Sequence, residues 1–346
     1  MPDPGPPTSR LIRRTREDAE RRELDQLSPA ATRSAGSRGR TIPEPPDPGR
    51  TAFERDRDRI LHSKAFRRLK HKTQVFINPD GDHFVTRLTH TLQVTQIGRA
   101  LATYLRLNEP LAEAICLGHD VGHSPFGHIG EEALTPYVHG EWHHAAQSVR
   151  VFEVLEPLNL TWEVRDGIRA HSWKIDPPPA TQEGIVCRFA DRIAYLTHDV
   201  DDAVRAGVIG YPDLPETPQN VFGEPGTAWI GSMIDAVVEE SLRRGEVSMD
   251  PAALEAMNAL RDFMFERVYL RPEAEEQRDQ AIAVITGLTD HYRAHPDEVP
   301  DTYRHHGADD VTAAIDYVSG MTDRFALREW ERIGKTTGSP RFTVDG

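Results

Sequence analysis

Apolar positions along the chain recur mostly at helical intervals. Between residues 90 and 105, Leu92, Ile97, Leu101 and Leu105 share such a spacing, and Gly98 is the only breaker in the run. Residues 111–117 follow Pro110 and read as a short buried helix. Further helices are predicted over 144–155, 162–170, 185–206, 232–243, 251–269, 277–295 and 309–333. Period-two alternation is rare. The best strand candidate is 73–77, leading into the turn Asn78-Pro79-Asp80-Gly81. Segment 211–228, rich in Pro and Gly, reads as a long surface loop. The pattern predicts an all-α fold.

The first fifty residues break that pattern. They carry ten Arg and eight acids among Pro, Gly and Ser, with little to build a core. Residues 16–27 form a charged helix candidate ended by Ser28-Pro29, and 33–50 read as a flexible, Arg-bearing arm. The expected division is an arm over 1–49 and a helical body over 50–346.

Composition narrows the classes. With 346 residues, 38% hydrophobic, 28% charged and a net charge of −14, the chain has a globular balance. No stretch approaches the ~20 apolar residues that span a bilayer, and residues 1–7 lack the apolar core of a secretory signal. Cys116 and Cys187 are the only cysteines, so no disulfide framework or thiolate metal site is expected. The expected setting is cytoplasmic. Net acidity argues against loose polyanion binding, which needs clustered positive charge. Sixteen histidines, against 12 Phe and 5 Trp, direct attention to imidazole chemistry.

The densest chemistry lies in 117–131: His119-Asp120 at the end of an apolar helix, His123 four residues on, then Ser124-Pro125-Phe126-Gly127 breaking the helix so that His128 and Glu131 turn back over the same place. Three histidines in an apolar segment are costly to bury without partners. A divalent ion could be held by His119 and Asp120 with His90 and Asp191 from other helices. Two imidazoles and two carboxylates suit Mn²⁺, Fe²⁺, Co²⁺, Ni²⁺ or Mg²⁺ better than a structural zinc site. Asp191, Tyr195 and Asp199 recur every four residues and line one helix face, with His198 beside them and Arg188 and Arg192 flanking as partners for an anion. Eight basic residues between Arg55 and Lys72 form an island that suggests phosphate binding.

These motifs resemble those of the HD superfamily of metal-dependent phosphohydrolases and, more narrowly, the bacterial deoxyguanosinetriphosphate triphosphohydrolase-like proteins. The run 50–76 carries the resemblance, with Thr86-Arg-Leu-Thr-His and Gly118-His-Asp-Val-Gly-His-Ser-Pro-Phe-Gly-His. Ala190-Asp-Arg-Ile-Ala-Tyr-Leu-Thr-His-Asp and Asp316-Tyr-Val-Ser-Gly-Met-Thr-Asp-Arg-Phe-Ala complete it. The resemblance implies a helical HD domain with a helical C-terminal extension, hydrolysing a deoxynucleoside triphosphate to deoxynucleoside and intact triphosphate. It implies one divalent ion, Mn²⁺ or Mg²⁺ favoured, on His90, His119, Asp120 and Asp191. His123, His128 and Glu131 then match catalytic positions, His144 matches the group that protonates the leaving oxygen, and His144 or His123 would donate that proton. Arg87 would meet the α-phosphate, Arg192 and Tyr195 the outer phosphates, and Gln74 and Asp199 the 3′-hydroxyl. Val75 would crowd the 2′ position, and His171 joins the substrate-binding set. Trp173 stands where relatives commonly have Gly. A homo-oligomer, up to a hexamer, and contact with single-stranded DNA are further implications. Two rivals stand beside this reading: an HD-type nucleoside monophosphate phosphatase or phosphodiesterase, and a non-catalytic nucleotide- or single-strand-binding protein that uses the arm.

Overall fold

The structure, a computed structural model, describes residues 11–74, 85–271, 275–304 and 307–337. Among these the architecture is all-α, with two isolated antiparallel bridges, Arg40 to Thr161 and Thr73 to Thr86. The strand expected at 73–77 is reduced to the Thr73 bridge; Val75 and the turn at 78–81 lie outside the described residues. No helix among the described residues is long and apolar enough to cross a membrane.

The site is built on a stack of three helices. α4 (Arg87–Tyr104) packs against both α5 (Glu109–Gly118) and α9 (Gln182–Arg205). α4 is opened by Thr86, whose side chain accepts the N–H of Thr89. It buries polar Arg87, His90 and Thr91 as well as Val94, Ile97 and Leu101, so it has no simple wet face. Asn108 caps α5 by accepting from Leu111, and α5 buries seven of its ten residues. α2 (Ala52–His62) and α8 (Trp162–Ala170) cover α5 from outside. The core they share includes Phe53, Ile60, Leu111, Ile115, Ile168 and Ile193.

A second core lies on the C-terminal side. Here α13 (Glu275–Ala294) packs against α6 (His128–Leu134), α15 (Asp310–Ser319) and α16 (Asp323–Thr337). Leu134, Trp142, Ile285, Leu288, Tyr292 and Val318 are buried in it. The helix expected over 309–333 is therefore two helices, interrupted at 320–322.

Two expectations about irregular segments are corrected. Segment 211–228 is not one open loop: α10 (Glu216–Phe222) forms within it and packs on α12 (Pro251–Met264). Leu214, Phe222 and, just beyond, Trp229 are buried there, enough apolar anchors to outweigh the prolines, of which Pro215 is the N-cap and Pro218 lies in the first turn of α10, where a missing N–H costs little. Nor is 33–49 loose. Buried Glu163 accepts from Ser37 Oγ (2.8 Å) and Arg38 N–H (2.7 Å). Fully buried Asp56 pairs with Arg40 while accepting from Thr161 N–H (2.8 Å) and Oγ1 (2.7 Å). Arg38 also stacks on Trp162, 3.6 Å from the ring centre. Buried carboxylates need donors, and this segment supplies them. Upstream of it, α1 (Arg16–Gln26) matches the predicted charged helix and begins with a capping box, Thr15 with Asp18.

Candidate metal centre and its acid–base neighbours

α5 ends at Gly118, so the His-Asp pair lies just past the helix and not within it. The free carbonyl of Cys116 accepts the His119 Nδ1–H at 2.6 Å, which fixes the tautomer and turns Nε2 inward with a lone pair. That Nε2 is fully buried and has no hydrogen-bond partner. It stands 3.5 Å from Asp120 Oδ1 and 3.8 Å from Asp191 Oδ1. His90, from the first turn of α4, brings its Nε2 to 3.1 Å from Asp191 Oδ1 and 3.9 Å from Asp120 Oδ2. The four expected ligands thus converge from three places in the chain, with His90, His119 and Asp191 offering atoms within 4.8 Å of one another. A buried imidazole nitrogen with no protein partner, faced by two carboxylates, is the donor set a divalent ion requires. Burial works against the charge of Asp191, yet its hydrogen bond with His90 holds its pKa down to about 2.

The acid–base set lies on the other side of Asp120. His123 Nε2 stands 3.4 Å from Asp120 Oδ1, and its ring stacks on that of His144 at 3.9 Å. Burial, with Arg87 nearby, keeps the His123 pKa well below the usual histidine value, so this ring is neutral. Glu131, from α6, accepts the N–H of His144 at 2.9 Å, capping α7 (His144–Arg150), and holds the ring Nδ1 at 2.6 Å. Across the ring, His144 Nε2 meets His171 Nε2 at 3.0 Å. His171 Nδ1 faces the Ile168 carbonyl at 2.7 Å and so carries the proton, leaving its Nε2 as an acceptor. Both nitrogens of His144 therefore face acceptors, an arrangement that suits a doubly protonated ring held by Glu131. Burial opposes the Glu131 charge, but His144, together with the hydrogen bond from His128, holds its pKa well below the carboxylate range. His128 differs from its neighbours: its side chain is 74% exposed, hinged on Glu131 at 3.2 Å.

Arg87 is buried and donates to Asp120 Oδ2 at 2.8 Å. Its other terminal nitrogen lies against Gly127. A Cβ at 127 would stand 2.7 Å from it, and φ is +59° there, so glycine is required twice over. Gly122 is equally constrained, because a Cβ would fall 2.2 Å from the backbone nitrogen of Ser148. Ser148 joins the two segments: it accepts Gly122 N–H at 2.9 Å and donates to His119 O at 2.8 Å.

Asp199 lies two turns along α9 from Asp191. Burial pushes its pKa up to about 7 although Tyr269 O–H donates to it at 2.7 Å. Gln74 is half-buried, with Oε1 enclosed and unpartnered. Tyr195 is half-buried on the same helix, its pKa pushed up to about 12 by burial.

Other expectations are corrected. Arg188 does not stand ready for an anion; it donates to the carbonyls of Ala170 and Ile175, both at 2.7 Å. His198 is turned onto its own helix, Nδ1 facing Ala194 O at 2.7 Å. The basic island is largely consumed within the protein. Arg55 and Arg59 share Glu44, and Arg57 pairs with Asp58 and Glu113. Lys72, at its end, is buried beneath the site, donating to the carbonyls of His123 and Ser319. Burial first, and Arg68 second, bring its pKa down to about 7.

Two contributors, Tyr269 and Asn258, escaped the sequence reading, as did the role of a third, Asp323. Tyr269 ends a predicted helix without any local mark of its role. Asp323 accepts the Phe126 N–H at 3.2 Å and the Thr73 N–H at 2.9 Å, tying the C-terminal helices to the turn before His128. Asn258 accepts from Arg192 at 3.0 Å. Their partners lie between 66 and 250 residues away in the chain.

Known proteins match the chain over most of its length. Residues 87–196 match the HD domain, and residues 247–332 match a phosphohydrolase-associated domain. A deoxyguanosinetriphosphate triphosphohydrolase-like protein of Caldanaerobacter subterraneus is 47% identical over 328 residues, covering 92% of this chain and 96% of its own. Proteins of the same description from Desulfatibacillum aliphaticivorans and Clostridium perfringens are 45% and 43% identical, covering 92% of this chain and 97% of theirs. The chain belongs to the deoxyguanosinetriphosphate triphosphohydrolase-like family of HD-domain, metal-dependent phosphohydrolases.

Proposed function

We propose that the protein hydrolyses deoxynucleoside triphosphates, dGTP among them, to deoxynucleoside and inorganic triphosphate by water attack at the α-phosphorus. The observation that carries the reading is the pairing of one unpartnered, metal-ready nitrogen, His119 Nε2, with a separate acid–base set that shares Asp120 with it. The names of the relatives point to the same substrate class.

His90, His119, Asp120 and Asp191 would hold the divalent ion, with Mn²⁺ or Mg²⁺ favoured. When bound, the ion supplies positive charge at the phosphate and makes a nearby water more acidic. The remaining work belongs to the side chains. Arg87, anchored on Asp120, places a fixed cation beside the α-phosphate. Arg192 and Tyr195 receive the outer phosphates, while Gln74 and Asp199 take the 3′-hydroxyl; Val75 restricts the 2′ position. Reactions of this type depend mainly on positioning and charge neutralisation. Exposed His128, hinged on Glu131, orients the attacking water and accepts its proton. His144, doubly hydrogen-bonded and protonated, donates to the departing 5′-oxygen, and neutral His123 packs against it to hold its plane.

The test is a chromatographic screen of the four deoxynucleoside triphosphates with Mn²⁺ or Mg²⁺, reading both products. Triphosphate release is expected. Release of orthophosphate alone, or no turnover of any nucleotide, would refute the reading.

A further inference from the structure

Trp173 belongs to neither the ligand set nor the acid–base set, yet its ring covers the cation that follows Asp191 in α9. The side chain is 37% exposed. Its ring is fixed from two sides: Nε1–H donates to the Arg188 carbonyl at 3.1 Å, and Phe189 meets it edge-on at 5.2 Å. Over its face stands the guanidinium of Arg192, 4.2 Å from the ring centre. Arg192 follows Asp191 directly in α9 and is itself buried. Its Nη1 donates to Asn258 Oδ1 at 3.0 Å, while its Nε is enclosed without an oxygen acceptor. The π-face of an indole serves such an N–H and favours the cation electrostatically.

The charge on Arg192 is not spent inside the protein. Neighbouring Asp191 turns its oxygen to His90 and His119, at 3.1 and 3.8 Å. Asn258 is neutral and Trp173 is neutral. A buried guanidinium held by three neutral groups, Asn258, Trp173 and the Tyr195 phenol, keeps its charge for an anion arriving from outside. Without the indole, Arg192 would keep its hydrogen bonds with Asn258 and Tyr195 but gain a free path into the space the ring fills. Its long side chain would then sample several rotamers.

We propose that Trp173 is a positioning residue for phosphate recognition: its indole face holds Arg192 in the direction from which it receives the outer phosphates of a polyphosphate substrate. This inference rests on the triphosphate reading above only for the identity of the substrate. It separates binding from chemistry, because Trp173 touches the phosphate-binding cation and not the acid–base set.

The experiment uses the full-length, Mn²⁺-loaded protein with Trp173→Ala, Trp173→Phe, Arg192→Ala and the double variant Trp173→Ala/Arg192→Ala. Inorganic triphosphate is the binding probe in calorimetry, and steady-state kinetics follow triphosphate release. Trp173→Ala is expected to raise KM and weaken triphosphate binding together by about tenfold, with kcat within about twofold and metal content unchanged. Phe keeps a ring face but loses the anchoring N–H, so Trp173→Phe should recover most of the affinity. In the Arg192→Ala background, Trp173→Ala should cost nothing further. Unchanged triphosphate affinity in Trp173→Ala overturns the proposal, as does an equal loss with or without Arg192. Loss of metal in Trp173→Ala also overturns it, since that would make the ring a mere support for nearby His171. Should the wild-type protein hydrolyse no deoxynucleotide, the catalytic reading fails, while the calorimetric cycle still decides the Trp173–Arg192 coupling.

Discussion

The two sides of Asp120 hold similar residues in opposite conditions. On one side, His119 is completely buried, its tautomer set by a backbone carbonyl and its Nε2 left without a partner. On the other, His144 has a partner for each ring nitrogen, and its neighbour His128 is 74% exposed. An imidazole that is to hold a metal must present a lone pair and be kept from protonating; one that is to move a proton must be hydrogen-bonded and reach water. The same side chain is thus assigned two tasks by what surrounds it. The comparison teaches that histidine count alone, sixteen in this chain, says little until each nitrogen is accounted for.

The largest effects should come from breaking the metal side. His119→Ala and Asp191→Ala are expected to abolish both metal content, read by elemental analysis, and turnover; an active, metal-free variant would sink the assignment. The proton side should break differently. Glu131→Gln keeps the size of the side chain but removes the charge that holds His144, so metal stays bound while kcat falls by about 10²–10³-fold. Metal loss in that variant would erase the distinction between the two sides.

A smaller effect tests the turn that joins them. Gly127→Ala places a methyl group against Arg87 at a φ of +59°. A strain of about 1–3 kcal/mol should appear in urea unfolding, because such a backbone position penalises any side chain. Turnover should fall along with stability, since Arg87 must shift off Asp120. Wild-type stability would show that the turn relaxes freely.

Much of this was legible in the sequence where the physics is local. The helix over 162–170 appears as Trp162–Ala170, because periodicity and end signals lie within it. The proposed ligands His90, His119, Asp120 and Asp191 sit in motifs whose spacing already sets them on helix ends and faces. What escaped depends on distant partners. The Arg55–Arg59 charges look like a phosphate cradle until Glu44 is folded beside them. Buried Leu214 and Phe222 turn a Pro-rich stretch into α10. Tyr269 matters only because the fold brings it 2.7 Å from an acid seventy residues earlier.

That acid supplies the most delicate test. Asp199 belongs to neither side of Asp120, and its folded pKa, pushed up to about 7 by burial, exceeds the ordinary value near 3.9 of an unfolded chain. Between those values the folded state holds a proton that the unfolded state has released. Stability from this group is therefore full below about pH 4, falls as pH rises toward 7, and levels off above it. Asp199→Asn removes the titration but keeps an oxygen to accept from Tyr269. Unfolding free energies measured in urea at pH 5 and pH 8 should differ less in the variant than in the wild type, by about 1–3 kcal/mol. An identical pH dependence in both proteins would mean that Asp199 is charged when buried. Its hydrogen bond from Tyr269 would then be a charge-assisted contact, and the group would accept, but never donate, a proton in meeting a sugar hydroxyl.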